Sequence, residues 1–209
     1  MSFFENTRKP VGFGGKIMVA MMNSGHGAMA DWGFKYITIP TDGTILDAGC
    51  GGGANIKKLL EKCPQGCVKG IDYSEVSVEK SRKINAKAIK EGRCQVLQAS
   101  VAELPFDENN FDLVTAFETI YFWPDPAEDL KQVYRVMKPG GRLMILTEDR
   151  ADGPHPERWA EVAAMLQMNM PTADGLALDL QNAGFKNVTA YVRDDALCMI
   201  CEKAANDEK

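Results

Sequence analysis

Apolar positions along this chain alternate between short continuous runs and longer stretches with helical spacing. The runs lie at 44–48, 67–72, 94–98, 111–117, 142–147, 187–193 and 196–202 and read as strands. Ile56, Leu59, Leu60 and Cys63 repeat at i, i+3, i+4, i+7, as do Leu130, Val133, Tyr134 and Met137, so each set marks a helix with one buried stripe. Asp125 can cap the second of these helices with Pro126 at its first position, and Lys138-Pro139-Gly140-Gly141 ends it. Ser74 and Gly92 bracket one further helix between the second and third runs. This alternation predicts a parallel sheet covered by helices on both faces. The last two runs break the rhythm, because only Asp194 and Asp195 separate them, and so short a connection demands an antiparallel hairpin.

The first strand ends in the stretch ILDAGCGGG, residues 45–53, with glycine at 49, 51 and 53, and a helix follows. Glycines so spaced let the backbone turn sharply and approach a ligand that a Cβ would hold away. Asp72 stands at the end of the second strand, where a carboxylate can accept both hydroxyls of a ribose. The two features together predict an adenosine-containing cofactor. Gly49-x-Gly51-x-x-Ala54 followed by Asp72 also satisfies the spacing for NAD. Asp47 argues against that choice, since a carboxylate just before the loop would repel a pyrophosphate at a helix N-terminus but not a cationic ligand.

The run from Asp47 to Gly53 resembles motif I of the class I S-adenosylmethionine-dependent methyltransferases, and four further segments agree in order. They are GIDYS around Asp72, SVAELPFDENNFDLV from Ser100, RVMKPGGRLMI from Arg135 and NAGFKNV from Asn182. The resemblance covers about residues 43–203 and is nearest to the small-molecule, quinone-biosynthesis type. It implies an α/β, Rossmann-like, doubly wound sheet of seven strands, mostly parallel, with the antiparallel last strand inserted beside the sixth and helices on both faces. S-adenosylmethionine would be the cofactor, S-adenosylhomocysteine the product, and a small molecule the methyl acceptor. A non-catalytic S-adenosylmethionine-binding protein is the alternative, with an NAD-dependent oxidoreductase behind it.

The family's roles carry over where residues match. Gly49 and Gly51 would approach the methionine and ribose, Asp72 would hold the ribose hydroxyls, and Tyr73 would lie against the adenine. Asp47 and Gly53 belong to the same loop, and Cys50 would touch the cofactor through its backbone. Many relatives carry an aspartate where this chain has Ser100, a weaker acceptor for the adenine amino group, so the backbone N–H of Val101 becomes the better adenine reader. After the fourth strand, in FETIYFWPD, Phe117 would line the floor and Glu118 face the cofactor's ammonium. Tyr121, in the aromatic cluster with Phe122 and Trp123, is a candidate catalytic residue because an aromatic face attracts a sulfonium. His26, in NSGHG, is the other, as the candidate general base, and His155 lies in the second variable segment.

Composition narrows the setting. At 209 residues the chain is the size of one domain, with a helical N-terminal lid expected over 1–40 and a helical insertion at about 150–183. The net charge is −5, and no cluster of lysine and arginine is large enough to follow a phosphate backbone, so nucleic acid is not the expected partner. No apolar run approaches the ~20 residues that span a bilayer, and KIMVAMM at 16–22 is too short for a signal peptide. We expect a cytoplasmic monomer or homodimer without stable membrane insertion. The six cysteines fit a reducing compartment. Cys198 and Cys201, three apart in a strand, point to opposite faces and cannot easily share a metal.

Overall fold

The computed structural model describes residues 27–205, and these form two compact units that meet in sequence between Ser100 and Val101. The first unit runs α1 (Gly27–Gly33), β1 (Thr44–Ala48), α2 (Ala54–Lys62), β2 (Cys67–Asp72), α3 (Glu75–Ile84), α4 (Ala86–Lys90) and β3 (Cys94–Gln98). Its three strands are parallel, with β2 in the middle, and Ala48 of β1 lies opposite Ile71 of β2. That register brings the ends of β1 and β2 level, so the glycine loop and Asp72 emerge from the same edge. Ile45, Leu46, Ile56 and Leu59 are completely buried, as the apolar run and the helical stripe require.

Two side chains hold this unit's helix ends. The Arg93 guanidinium donates to the carbonyls of Leu60 (3.1 Å), in the last turn of α2, and of Cys63 (2.7 Å) and Gly66 (3.2 Å), just beyond it. Ser74 caps α3 as expected, accepting from the Ser77 N–H. The single helix expected from Ser74 to Gly92 is broken at Asn85, whose backbone N–H still donates to Ser81 O while its side-chain amide donates to Gly53 O (3.1 Å) and Ser81 O (3.0 Å). In α1, Met29 and Trp32 are buried, and Tyr36, beyond the helix end, meets Trp32 edge to face. The rest of the expected lid, with His26 and KIMVAMM, lies outside the described residues.

The second unit runs β4 (Phe111–Phe117), a 3-10 turn (Ile120–Phe122), α5 (Pro126–Val136), β5 (Met137–Thr147), α6 (Glu157–Leu166), α7 (Ala173–Asn182), β6 (Lys186–Arg193) and β7 (Ala196–Glu202). β4 and β5 are parallel, whereas β7 lies antiparallel between β5 and β6. The hairpin is therefore present, and its second strand is the inserted one. Nearly all of β7 is buried, while β6 is largely exposed. Asp125 caps α5 with Pro126 in the first turn, as read from the sequence. β5 begins five residues earlier than the apolar run suggested. Met137 already pairs with Phe111, and Lys138-Pro139-Gly140-Gly141 forms an irregularity inside the pairing, before Arg142 meets Leu113. The seven strands are those of a mostly parallel α/β sheet with an antiparallel C-terminal strand and helices around it, the Rossmann-like class that the resemblance implied.

Candidate functional site

In the first unit the glycine loop is fastened to β2 through its own backbone. The N–H groups of Gly49 and Cys50 both donate to Ile71 O (2.9 and 2.8 Å), and the Gly51 N–H donates to Asp72 Oδ2 at 2.9 Å. The Ser74 N–H takes Asp72 Oδ1 at 2.9 Å, so the carboxylate joins the loop to the start of α3. Each oxygen keeps a second lone pair for a ligand. Burial raises the Asp72 pKa above its ordinary value, against the lowering effect of the Ser74 and Gly51 N–H groups.

Gly51 and Gly53 both adopt left-handed backbone, at φ +50° and +82°, but do different work. A Cβ at Gly51 would meet no atom within 4 Å, whereas one at Gly53 would lie 2.3 Å from Ser81 Oγ and 2.6 Å from Asn85 Nδ2. Gly51 therefore borders open space and Gly53 closes the loop against α3. Cys50 is less available than its position suggests. Its N–H is taken by Ile71, its carbonyl accepts from Gly53, and burial together with the Asp72 and Asp47 carboxylates pushes its thiol pKa well up. Asp47 is buried at the end of β1, Tyr73 is exposed just before the α3 cap, and Ser100 is half-buried.

In the second unit, Val101 and Phe117 are buried, and Glu118 follows at the end of β4. Glu118 holds a positive φ of 54° while its N–H donates to Leu146 O, an arrangement uncommon for a residue with a side chain. Tyr121 donates its hydroxyl to Glu118 Oε2 at 2.7 Å, and the buried Oε1 has no hydrogen-bond partner. Burial, with the Glu148 and Asp149 carboxylates nearby, pushes the Glu118 pKa up to about 8 in spite of the Tyr121 hydroxyl. Burial and Glu118 likewise push the Tyr121 phenol well above its ordinary value. Tyr121 thus keeps its proton and orients Glu118. Phe122 packs its ring edge to face on Tyr121, and Trp123 is buried with its indole N–H on Thr119 Oγ1.

Sequence reasoning passed over Glu148 and Asp149, which follow β5 and share the carboxylate field around Glu118. A signal was available, because acids also stand at or beside the ends of β1, β2 and β4. His155 is half exposed, its backbone N–H on Asp195 Oδ1 and its Nδ1 3.6 Å from Glu157 Oε1. The six cysteines are free thiols, and among the described residues no group of three or more His, Cys, Asp or Glu could hold a metal ion.

Residues 46–145 match the family described as "Methyltransferase domain", a span that includes the glycine loop, Asp72, Glu118 and most of β5. This span is just under half of the 209 residues, and it supports a methyltransferase of the class I S-adenosylmethionine-dependent kind. Among curated relatives of this methyltransferase, it is 25% identical over 174 residues to the uncharacterized methyltransferase YdaC of Bacillus subtilis, covering 83% of this chain and 91% of that protein. It is 34% identical over 113 residues to the ubiquinone/menaquinone biosynthesis C-methyltransferase UbiE of Geotalea daltonii, covering 54% of this chain. The match there spans about half of the relative's length, 48%. The methyltransferase solved with the Haloferax volcanii Trm112 methyltransferase activator has the same fold, with a TM-score of 0.80 at 18% identity over 96% of this chain and 97% of that one.

Proposed function

We propose that this methyltransferase moves a methyl group from S-adenosylmethionine to a small-molecule acceptor by in-line displacement. The observation that carries the reading is the pairing of Gly51 with Asp72. An open-faced glycine and a carboxylate are tied by one 2.9 Å hydrogen bond at the level ends of two parallel strands. A carboxylate so placed suits the two hydroxyls of a ribose, and the bare Cα beside it leaves room for the rest of the nucleoside.

The residues fit such a cofactor chemically. Asp72 would bind the ribose, with Tyr73, Ser100 and the Val101 N–H toward the adenine. Gly49, Cys50, Gly51 and Gly53 would shape the loop, and Phe117 would line the methionine end. Asp47 and Glu118 supply buried carboxyl groups for a ligand bearing an ammonium and a sulfonium, and Glu118, protonated near pH 7 in the free protein, would give up its proton against that charge. When bound, the cofactor supplies an already activated methyl group. The protein's task is then chiefly to position the acceptor and exclude water, which needs contact distances of ~3–3.5 Å between reacting atoms. Tyr121 would act by holding Glu118, and His26 stays a candidate base for an acceptor that must lose a proton.

The test is turnover. Incubation with S-adenosylmethionine labelled in the methyl group and an extract of small metabolites should yield S-adenosylhomocysteine and a labelled small product. Tight cofactor binding with no S-adenosylhomocysteine from any extract would favour the non-catalytic alternative.

A further inference from the structure

β6 is the outer strand of the second unit. It pairs with β7 on one side and, among the described residues, with no strand on the other. The two-residue Asp194-Asp195 turn makes Arg193 and Ala196 the first pair of the hairpin, the one that exchanges both backbone hydrogen bonds. Counting back from that pair, Tyr191 and Thr189 bond to β7, whereas Ala190 and Val192 turn their N–H and C=O groups outward. An outward row of this kind is a template for another strand. In the first unit, β3 shows how a chain can close such a row from within, because the Arg82 guanidinium donates twice to Val96 O, at 3.0 and 2.8 Å. None of the hydrogen bonds among the described residues reaches the outward groups of Ala190 or Val192.

The side chains of β6 are as open as its backbone. Val192 is 52% exposed, Thr189 and Ala190 are exposed, and Val188 and Tyr191 are half-buried. Lys186 at one end and Asp194 at the other are both exposed, and Arg150 reaches only the Asp194 carbonyl. A bulge with Asn187 at φ +53° twists the start of the strand, which limits a straight ladder to residues 188–192.

We propose that β6 pairs antiparallel with β6 of a second copy of this chain, about a two-fold axis through Ala190. Val188 then lies opposite the copy's Val192, Ala190 opposite the copy's Ala190, and Thr189 opposite the copy's Tyr191. Lys186 comes level with the copy's Asp194, within reach of its long side chain. The residues select this register over its neighbours. Outward-facing residues must meet outward-facing residues, so the axis moves in whole-residue steps. Centred on Tyr191, the ladder would set Val188 against Asp194; centred on Thr189, it would set Lys186 against Val192. Only the Ala190 register matches apolar with apolar and cation with anion, and symmetry repeats each match. So short a ladder is smaller than a standard interface, and association should be weak, at about 10 µM or above.

Sedimentation velocity of the full chain from about 5 to about 500 µM tests this. The mass should rise from that of the 23.0 kDa chain toward twice it. Ala190→Pro removes the outward N–H at the axis, a change that an edge strand tolerates, and Val192→Lys puts a charge into the apolar row. Each should weaken dimerisation at least about tenfold. Should the proline variant lose its fold by circular dichroism, Val192→Lys, at an exposed position, carries the test. Lys186→Asp and Asp194→Lys then read the register. Either variant alone sets like charges together and should dimerise more weakly than the unmodified chain, whereas an equal mixture restores both opposite-charge pairs and should associate more tightly than either. A single-chain mass at every concentration, dimerisation undiminished by Val192→Lys, or a mixture no tighter than its parts would each overturn the inference.

Discussion

Gly51 and Gly53 occupy the same motif and share a left-handed backbone, yet their surroundings predict opposite outcomes for the same substitution. Gly51→Ala meets no atom within 4 Å, so it should cost only the left-handed strain, about 1–2 kcal/mol, and lower the melting temperature modestly. Its new methyl would stand where the nucleoside is expected, so cofactor affinity should fall at least about tenfold. Gly53→Ala would drive a Cβ to 2.3 Å from Ser81 Oγ and should destabilise by several kcal/mol, read as an early melt. A second residue-scale prediction concerns Glu118. Its pKa of about 8 in the folded protein stands above the ordinary 4.5, so between those values the native state holds a proton that the unfolded chain releases. Stability should therefore fall as pH rises through that window. Glu118→Gln should flatten the fall and gain on the order of a few kcal/mol over the unmodified protein near pH 8.5, measured by denaturant titration at both ends. If Glu118 meets the cofactor's ammonium, binding near pH 7 should release a proton. Calorimetry in buffers of different ionisation enthalpy would then give different apparent heats, and identical heats would remove Glu118 from the cofactor site.

Elements depend on a few cationic side chains that end helices and turns. Arg93→Met would leave the Leu60 and Gly66 carbonyls without a donor and Cys63 O with the Gly66 N–H alone, and should cost about 2–3 kcal/mol with little effect on α3. A melting temperature within error of the unmodified protein would show that water replaces the guanidinium. Lys203 plays the same part in the second unit, donating to the carbonyls of Tyr134 and Met137. At this scale the sequence was readable wherever the signal was local. The Asp125-Pro126 start of α5, the hydrophobic stripe of α2 and the two-residue β6–β7 connection all formed as their residues dictate. It was not readable where a distant partner decided the outcome. The side chain of Asn85, at the end of α3, reaches Gly53 O, and β5 starts at Met137 because Phe111 pairs with it across an irregular register. The same holds for the candidate site. The spacing of glycines and acids was visible in the chain, but the division of labour between Gly51 and Gly53 appears only in three dimensions. So do the orphaned Glu118 oxygen and the hydroxyl that turns Tyr121 toward it.

For the whole molecule, the net charge of −5 gives no general attraction for a phosphate backbone, which agrees with the small-molecule acceptor proposed above. No helix among the described residues is long and apolar enough to cross a membrane. Removal of residues 1–24 should weaken both cofactor and acceptor binding if that segment acts as the lid, and unchanged turnover in the truncated protein would count against it. The central claim is that Gly51 and Asp72 hold an S-adenosyl nucleoside. Calorimetric titration of the folded protein with S-adenosylhomocysteine tests it most directly, with Asp72→Asn as the partner measurement. We predict one site per chain, weakened at least about tenfold by the substitution; absence of binding to the unmodified protein, or equal affinity in the variant, would contradict it.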